Sequence, residues 1–307
     1  PATLSSKDVQ VIVEDLEKLS FEGKIVETYR LRQEYADTQT FTWVDTKGRV
    51  LKEEALMGLS IARTTAESAR SGITGRAELT DVIAATVAPA NRNIKHPRET
   101  RYLKARLKGV DLKGFELEGG RQKLDGDIVE ITRESINPQD ELRVSPTDPD
   151  FKKFLIPISL DQTLHPKILA RARAITGGDP PLVEIRKVTD WVFSNLEKRP
   201  TMSVPDPVTV LDTKVGDCKE HAALAAALLQ ALGIPVKLCA GVLFFQDGFY
   251  YHAWIEVFWG QWLAVDPLLN QIPADATHIR FLTGGLSRQT DLIRLIGRLE
   301  IEILAVE

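Results

Sequence analysis

Apolar residues recur at two different spacings along this chain, and the change of spacing divides it into elements. In residues 181–198, PLVEIRKVTDWVFSNLEK, the apolar positions Val188, Trp191, Val192 and Leu196 fall three and four apart, as on one face of a helix. Trp191 is therefore read as a core residue. Pro181 stands where a helix would begin, a position that tolerates proline. Residues 166–177, PKILARARAITG, form a second amphipathic helix. Residues 216–235, GDCKEHAALAAALLQALGIP, carry Leu224, Leu228 and Leu232 at every fourth position, with Ala225 completing a buried stripe. Gly233 and Pro235 stop this helix, Asp217 is a good N-cap residue, and Cys218 falls in the first turn.

Elsewhere the pattern is that of strands. Residues 236–245, 249–259 and 261–270 predict three strands after the Cys218 helix. Residues 24–35 are rich in β-formers, and 40–56 predict a hairpin turning at Thr46, Lys47 and Gly48. Residues 58–72 and 77–88 read as helical, and 98–134 return to short strands broken by glycines. Residues 277–285 predict a strand leading into a glycine turn, and 298–307 alternate as a last strand. The proline-rich polar stretch 135–154 is the natural boundary. The expected organisation is thus α+β: a β-rich α+β domain over 1–150, and a second domain over 151–307. The first domain shows no reactive constellation and is expected to pack or bind.

Composition narrows the function. A chain of 307 residues suits two domains, and 43% hydrophobic with 27% charged residues is ordinary for a globular protein. The net charge of -4, with both signs mixed, leaves no basic stripe for nucleic acid. No apolar run reaches the roughly 20 residues that span a bilayer. The chain starts at Pro1 without an initiator methionine or a signal-like segment, so a trimmed or mature form is expected. A periplasmic or cell-envelope location is the working expectation, with the cytoplasm left open. Two cysteines, Cys218 and Cys239, make no disulfide framework.

Candidate chemistry centres on Cys218. The positive end of a helix favours thiolate over thiol, although most free cysteines are simply small buried hydrophobes. A thiolate nucleophile needs a base, and the base needs an orienting group. His252 and Asp266, on the strands that follow, supply both types. Tyr250, His252 and Trp254 share one face of their strand.

GDCKEHAALAAALLQALGIPVK, YYHAWIEVF and WLAVDP, in this order, resemble the transglutaminase-like superfamily over about residues 160–280. The resemblance implies a papain-like core, with the Cys218 helix packed on an antiparallel sheet that carries His252 and Asp266. It implies acyl transfer at an amide through a thioester, with Cys218 as nucleophile, His252 as general base and acid, and Asp266 orienting the imidazole. Water would make the protein a protease or amidase; an amine would make it a crosslinking enzyme. A peptide or protein substrate and no cofactor are expected, and oligomeric state is open. The backbone N–H of Cys218 is a first oxyanion donor, and no motif places a second.

Two other readings compete. The fold could be catalytically silent and serve as a binding module, or Cys218, His221, His252 and Asp266 could hold zinc. His221 is more simply a helix residue with a packing or hydrogen-bonding role, and Cys239 a structural thiol. Trp254 and Tyr250 are the candidates for substrate contact, while packing is the default for Trp259 and Trp262. His96, His165 and His278 receive no role.

Strand geometry sets a condition on this reading. A two-residue turn at Gly260 and Gln261 would pair Trp259 with Trp262 and point Asp266 away from His252. A three-residue loop or a bulge between Val257 and Val265 shifts the parity by one. Trp254 would then lie opposite Asp266, with His252 diagonal to it on the same face.

Overall fold

The computed structural model describes residues 10–21, 23–35, 38–54, 60–65, 87–137, 149–156, 164–199, 205–284, 292 and 294–307. Chain contacts divide the protein into two compact units, Ala2–Val87 with Arg294–Gly297, and Ala88–Ile293 with Arg298–Glu307.

The first unit is an antiparallel sheet in the order β1 (Gln10–Phe21), β2 (Lys24–Tyr35), β3 (Thr38–Asp45), β4 (Val50–Glu54) and β5 (Ser60–Ala62). The expected hairpin at Thr46, Lys47 and Gly48 joins β3 to β4. Asp45 fastens it by accepting from the Lys47 and Arg49 amides at 2.9 Å each, and Gly48 takes a positive φ of 77°. The helix expected over 58–72 is corrected at Ser60–Ala62. These residues satisfy their backbone by pairing with β4, which outweighs a weak helical pattern. Residues 63–65 are likewise not helical, while 58–59, 66–72 and 77–86 lie outside the described residues. Val87 and Ala88, also expected to be helical, open strand β6 (Val87–Pro89).

Among the described residues, the second unit contains the helices, two larger sheets and a parallel pair, β10 (Glu197–Lys198) with β11 (Val215–Gly216). One sheet runs β16 (Glu300–Val306), β7 (Tyr102–Lys108), β9 (Ile128–Thr132), β8 (Gln122–Asp125), all antiparallel. Its alternation is clean: Leu103, Ala105, Leu107, Val129, Ile131, Ile301 and Ile303 are all buried. The chain therefore divides near residue 88 rather than 150. Strand β7 takes its partner β16 from the far C-terminus, which ties 102–132 to the unit that holds the helices.

The other sheet runs β14 (Trp262–Val265), β13 (Gly248–Phe258), β12 (Val236–Phe245), β15 (Ile279–Thr283). The short helix α1 (Pro149–Lys152) precedes four others: α2 (Pro166–Thr176), α3 (Pro181–Asn195), α4 (Pro207–Thr213) and α5 (Cys218–Ala231). Proline opens α2, α3 and α4, where its missing N–H would be unpaired in any case. In α3, Val188, Val192 and the following Leu196 are buried as expected, and Trp191 packs on the core beneath the Arg171 guanidinium. Helix α5 is buried from Glu220 to Gln230, with Leu224 and Leu228 in one core with Ile185, Val188, Ile255, Val257 and Val265. The helix that bears Cys218 thus packs on an antiparallel sheet, in an α+β fold. No helix among the described residues is long and apolar enough to cross a membrane.

Sheet closure depends on Gly241 of β12. A Cβ there would lie 2.0 Å from the Ile279 carbonyl oxygen of β15 and 3.0 Å from Cη2 of Trp254. The first contact is with backbone, so no rotamer change relieves it. Gly241→Ala is expected to cost about 3 kcal/mol as an overpacking change, read as a lower midpoint in urea unfolding.

Candidate active site

Three local devices bring the candidate groups together. The first is the cap of α5. Asp217 accepts from the Lys219 amide at 2.9 Å, and Glu220 reaches back to the Asp217 amide at 3.0 Å, forming a capping box. Gly216 makes room for this, since a Cβ there would sit 2.2 Å from Cβ of Glu220. Burial, then the Glu220 hydrogen bond, push the Asp217 carboxyl up to about 6. The box fixes Cys218 as the first helical residue, half-buried, with its thiol free of any disulfide.

The second device is the loop between β13 and β14. Phe258 pairs with Trp262, Val257 with Leu263, and Ile255 with Val265. Trp259, Gly260 and Gln261 form a three-residue loop, closed by the Trp259 amide donating to the Gln261 carbonyl at 2.8 Å. This is one of the two arrangements the parity argument allowed, a three-residue loop or a bulge. His252 Nε2 consequently lies 2.7 Å from Asp266 Oδ2. Cys218 lies near enough to His252 to add to its basicity.

The third device is the turn after Asp266. Asp266 Oδ1 accepts from the Leu268 and Leu269 amides at 2.8 and 3.0 Å. Its Oδ2 is shared between His252 and His278, the latter at 3.1 Å. His278 is fully buried, and its Nδ1 lies 3.1 Å from the Asp275 carbonyl oxygen. Asp275 in turn pairs with Arg98 at 2.8 Å and accepts from the Thr277 amide at 2.9 Å. Arg98 also donates to the Phe244 carbonyl and to Thr277 Oγ1. Two more arginines hold this segment: Arg121 donates to the Ala274 and Asp275 carbonyls, and Arg133 to that of Pro273.

The electrostatics follow from this geometry. Burial alone would lower the basicity of His252, but the Asp266 charge and hydrogen bond, with Cys218 adding to them, push it up to about 9. Burial would raise Asp266, yet His252 and then His278 hold it well below the usual carboxylate range. Asp275 is likewise held low, against burial, by His278, Arg98 and Thr277. His278 is raised, chiefly by the Asp275 charge and the Asp266 hydrogen bond, against burial.

His278 is the residue that sequence reading missed. Its neighbours Thr277 and Arg280 made it look like a polar loop residue, and the one available signal was an Asp-x-Thr-His turn at 275–278. Trp254 also needs correction. It is 1% exposed and stacks on His252 with ring centroids 6.1 Å apart, so it walls the imidazole instead of touching substrate. Its ring fills the space that Gly241 leaves. Tyr250 is half-buried on the same face and donates to Asp247 at 3.3 Å. Trp259 is buried in the core, and Trp262 stacks among Phe151, Phe154 and Phe258.

The zinc set first considered is not the cluster found. His221 is fully buried on α5 and bonds the Asp217 carbonyl through Nδ1 at 2.7 Å. Among the described residues, His252, Asp266 and His278 bring their donor atoms within 4.8 Å of one another, a spacing that could admit a metal. Contacts of 2.7 and 3.1 Å to one carboxylate oxygen are instead those of two N–H donors. Cys239 is buried beside Trp254, Ala264 and Ala274, and burial pushes its thiol far up, as befits a structural residue.

The same stretch carries a sequence match. Residues 170–267 match the transglutaminase-like superfamily. The similarity is to that family over this segment, about a third of the chain. The match ends one residue past Asp266 and contains Cys218 and His252, but not His278, Asp275 or Arg98. No curated protein matches the chain. Among solved structures, a candidate cysteine protease from Cytophaga hutchinsonii is similar at 17% identity and a TM-score of 0.43, over 68% of this chain and 87% of that one. The periplasmic domain of TgpA from Pseudomonas aeruginosa is similar at 16% identity and a TM-score of 0.38, over 62% of this chain and 94% of that one.

Proposed function

We propose that this protein is a thiol enzyme of the transglutaminase-like type, acting on a peptide or side-chain amide through a thioester. The observation that carries the reading is the His252 imidazole, which bonds the Asp266 carboxylate at 2.7 Å and has Cys218 as a neighbour that adds to its basicity. His252, raised to about 9, carries its proton at neutral pH and can give it up as the acid of the reaction. The thiolate attacks the amide carbonyl carbon. Charge gathers on the oxygen, where the N–H of Cys218 is a donor, because a first helical residue has no partner within its helix. His252 gives its proton to the departing amine nitrogen as the C–N bond breaks, leaving the thioester. Water then attacks the thioester with His252 taking its proton, and the acid leaves as the thiolate is restored. A primary amine in place of water gives a new amide. Asp266 keeps the ring oriented and balances its charge. Tyr250, beside His252 on the same face and partly exposed, is the remaining candidate for substrate contact.

The test is a panel of peptide, isopeptide and glutamine side-chain amide substrates, each with and without an added primary amine. Turnover by the wild type that is lost in Cys218→Ala supports the reading, and product mass separates water from amine as acceptor. Turnover that survives Cys218→Ala overturns it. A thiol that alkylates no faster than free cysteine would favour a binding module.

A further inference from the structure

His278 contacts an acceptor at each ring nitrogen. Nδ1 faces the Asp275 carbonyl oxygen at 3.1 Å, and a carbonyl can only accept. The Asp275 carboxylate Oδ1 lies 3.4 Å from the same nitrogen. Nε2 faces Asp266 Oδ2 at 3.1 Å. Asp266 is itself surrounded by donors, with two backbone amides on Oδ1 and His252 on Oδ2, so it accepts as an anion. A neutral imidazole donates from one nitrogen only. Here both must donate, which makes His278 an imidazolium enclosed in protein.

We propose that His278 is a positioning residue: a doubly protonated imidazole that holds Asp266 in place and tempers its pull on His252, so setting the pH range of the Cys218–His252 pair. The proposal rests on the reading of Cys218 and His252 given above. Charge alternates along the chain of groups that results: Arg98 positive, Asp275 negative, His278 positive, Asp266 negative, His252 positive. The charged groups facing His278 are Asp266 from the end of β14, Asp275 from the preceding turn, and His252 from β13 with ring centroids 5.7 Å away. Arg98 stands behind Asp275, and His221 of α5 feels the charge of Asp266 from further off. Trp254 supplies an uncharged ring edge-on at 5.2 Å. A carboxylate shared by two cations holds each less firmly than it would hold one. Without the His278 charge, Asp266 would grip the His252 proton harder, and the thiol–imidazole pair would keep each of its protons to higher pH.

His278→Gln tests this in the full chain, because glutamine keeps an N–H donor but carries no charge. Iodoacetamide labelling of Cys218, followed by mass spectrometry from pH 3 to 10, reads the two proton losses of the pair without any substrate. Both midpoints are expected to move up by about one pH unit, the effect of removing a nearby like charge. A role in structure alone would lower the melting temperature and move neither midpoint, and unmoved midpoints in a folded variant overturn the proposal. If the variant does not fold, nitrogen-15 NMR of the wild type decides. Two protonated nitrogens on His278 at neutral pH are expected, and a single one overturns it. A single ordinary thiol titration in the wild type would count against the role of Cys218 itself, while the proton count on His278 would still stand as the separate test.

Discussion

Alanine at Cys218 or at His252 will abolish amide turnover, with a loss on the order of 1,000-fold or more, and alanine at Asp266 will leave a measurable remainder. Nucleophile and base act as one unit, so removing either costs about as much as removing both. Asp266 takes no proton in the reaction. It holds a tautomer and a charge, and part of the rate survives without it. The structure adds a second consequence. Asp266 accepts from four donors in a buried site, two of them imidazoles. Asp266→Ala leaves those charges unpaired and is expected to cost about 3–5 kcal/mol of stability as well, the range for breaking a buried pair. Steady-state kinetics and a urea melt on each variant separate the two losses. Undiminished turnover in His252→Ala would remove His252 from the mechanism.

Brief iodoacetamide treatment at neutral pH will label Cys218 at least about 100-fold faster than Cys239. Cys218 is half-buried at a helix N-terminus beside His252, whereas Cys239 is fully buried and its thiol is pushed far up by burial. Peptide mass spectrometry identifies the labelled residue. Equal labelling, or preference for Cys239, would sink the idea of an activated nucleophile. The His252 interaction also bears on stability. A folded-state value of about 9, above the ordinary 6.5, means that it stabilises the fold fully below about pH 6.5 and fades as pH rises through about 9. The wild type is therefore expected to lose stability across that window, and His252→Ala to lack this component.

What was legible in the sequence was local. The Asp217 cap, the Cys218 first turn and the Gly233 stop are encoded within a few residues of where they act. Even the loop after β13 could be narrowed in advance to three residues or a bulge, because side-chain alternation lets a strand face be counted. His278 was not legible, since its partners Asp275 and Asp266 gain meaning only once the turn folds back on β14. Trp254 was placed on the correct face, but the sequence could not show that this face is covered. The extent of the second unit was misplaced for a related reason. The pairing of 102–108 with 300–306 joins segments nearly 200 positions apart and leaves no local mark.

That pairing, with the three arginines from 98–133, bears on where this protein can be cut. A fragment starting at residue 151 would keep Cys218, His252, Asp266 and His278, every group that carries the proposed chemistry. It would lose Arg98, Arg121 and Arg133, which hold the carbonyls of Pro273, Ala274 and Asp275 and the Asp275 carboxylate. It would also strip β16 of its neighbour β7 and expose Ile301 and Ile303. The smallest autonomous piece therefore begins before Arg98, and the segment that the family match outlines holds the proposed site without its own scaffold.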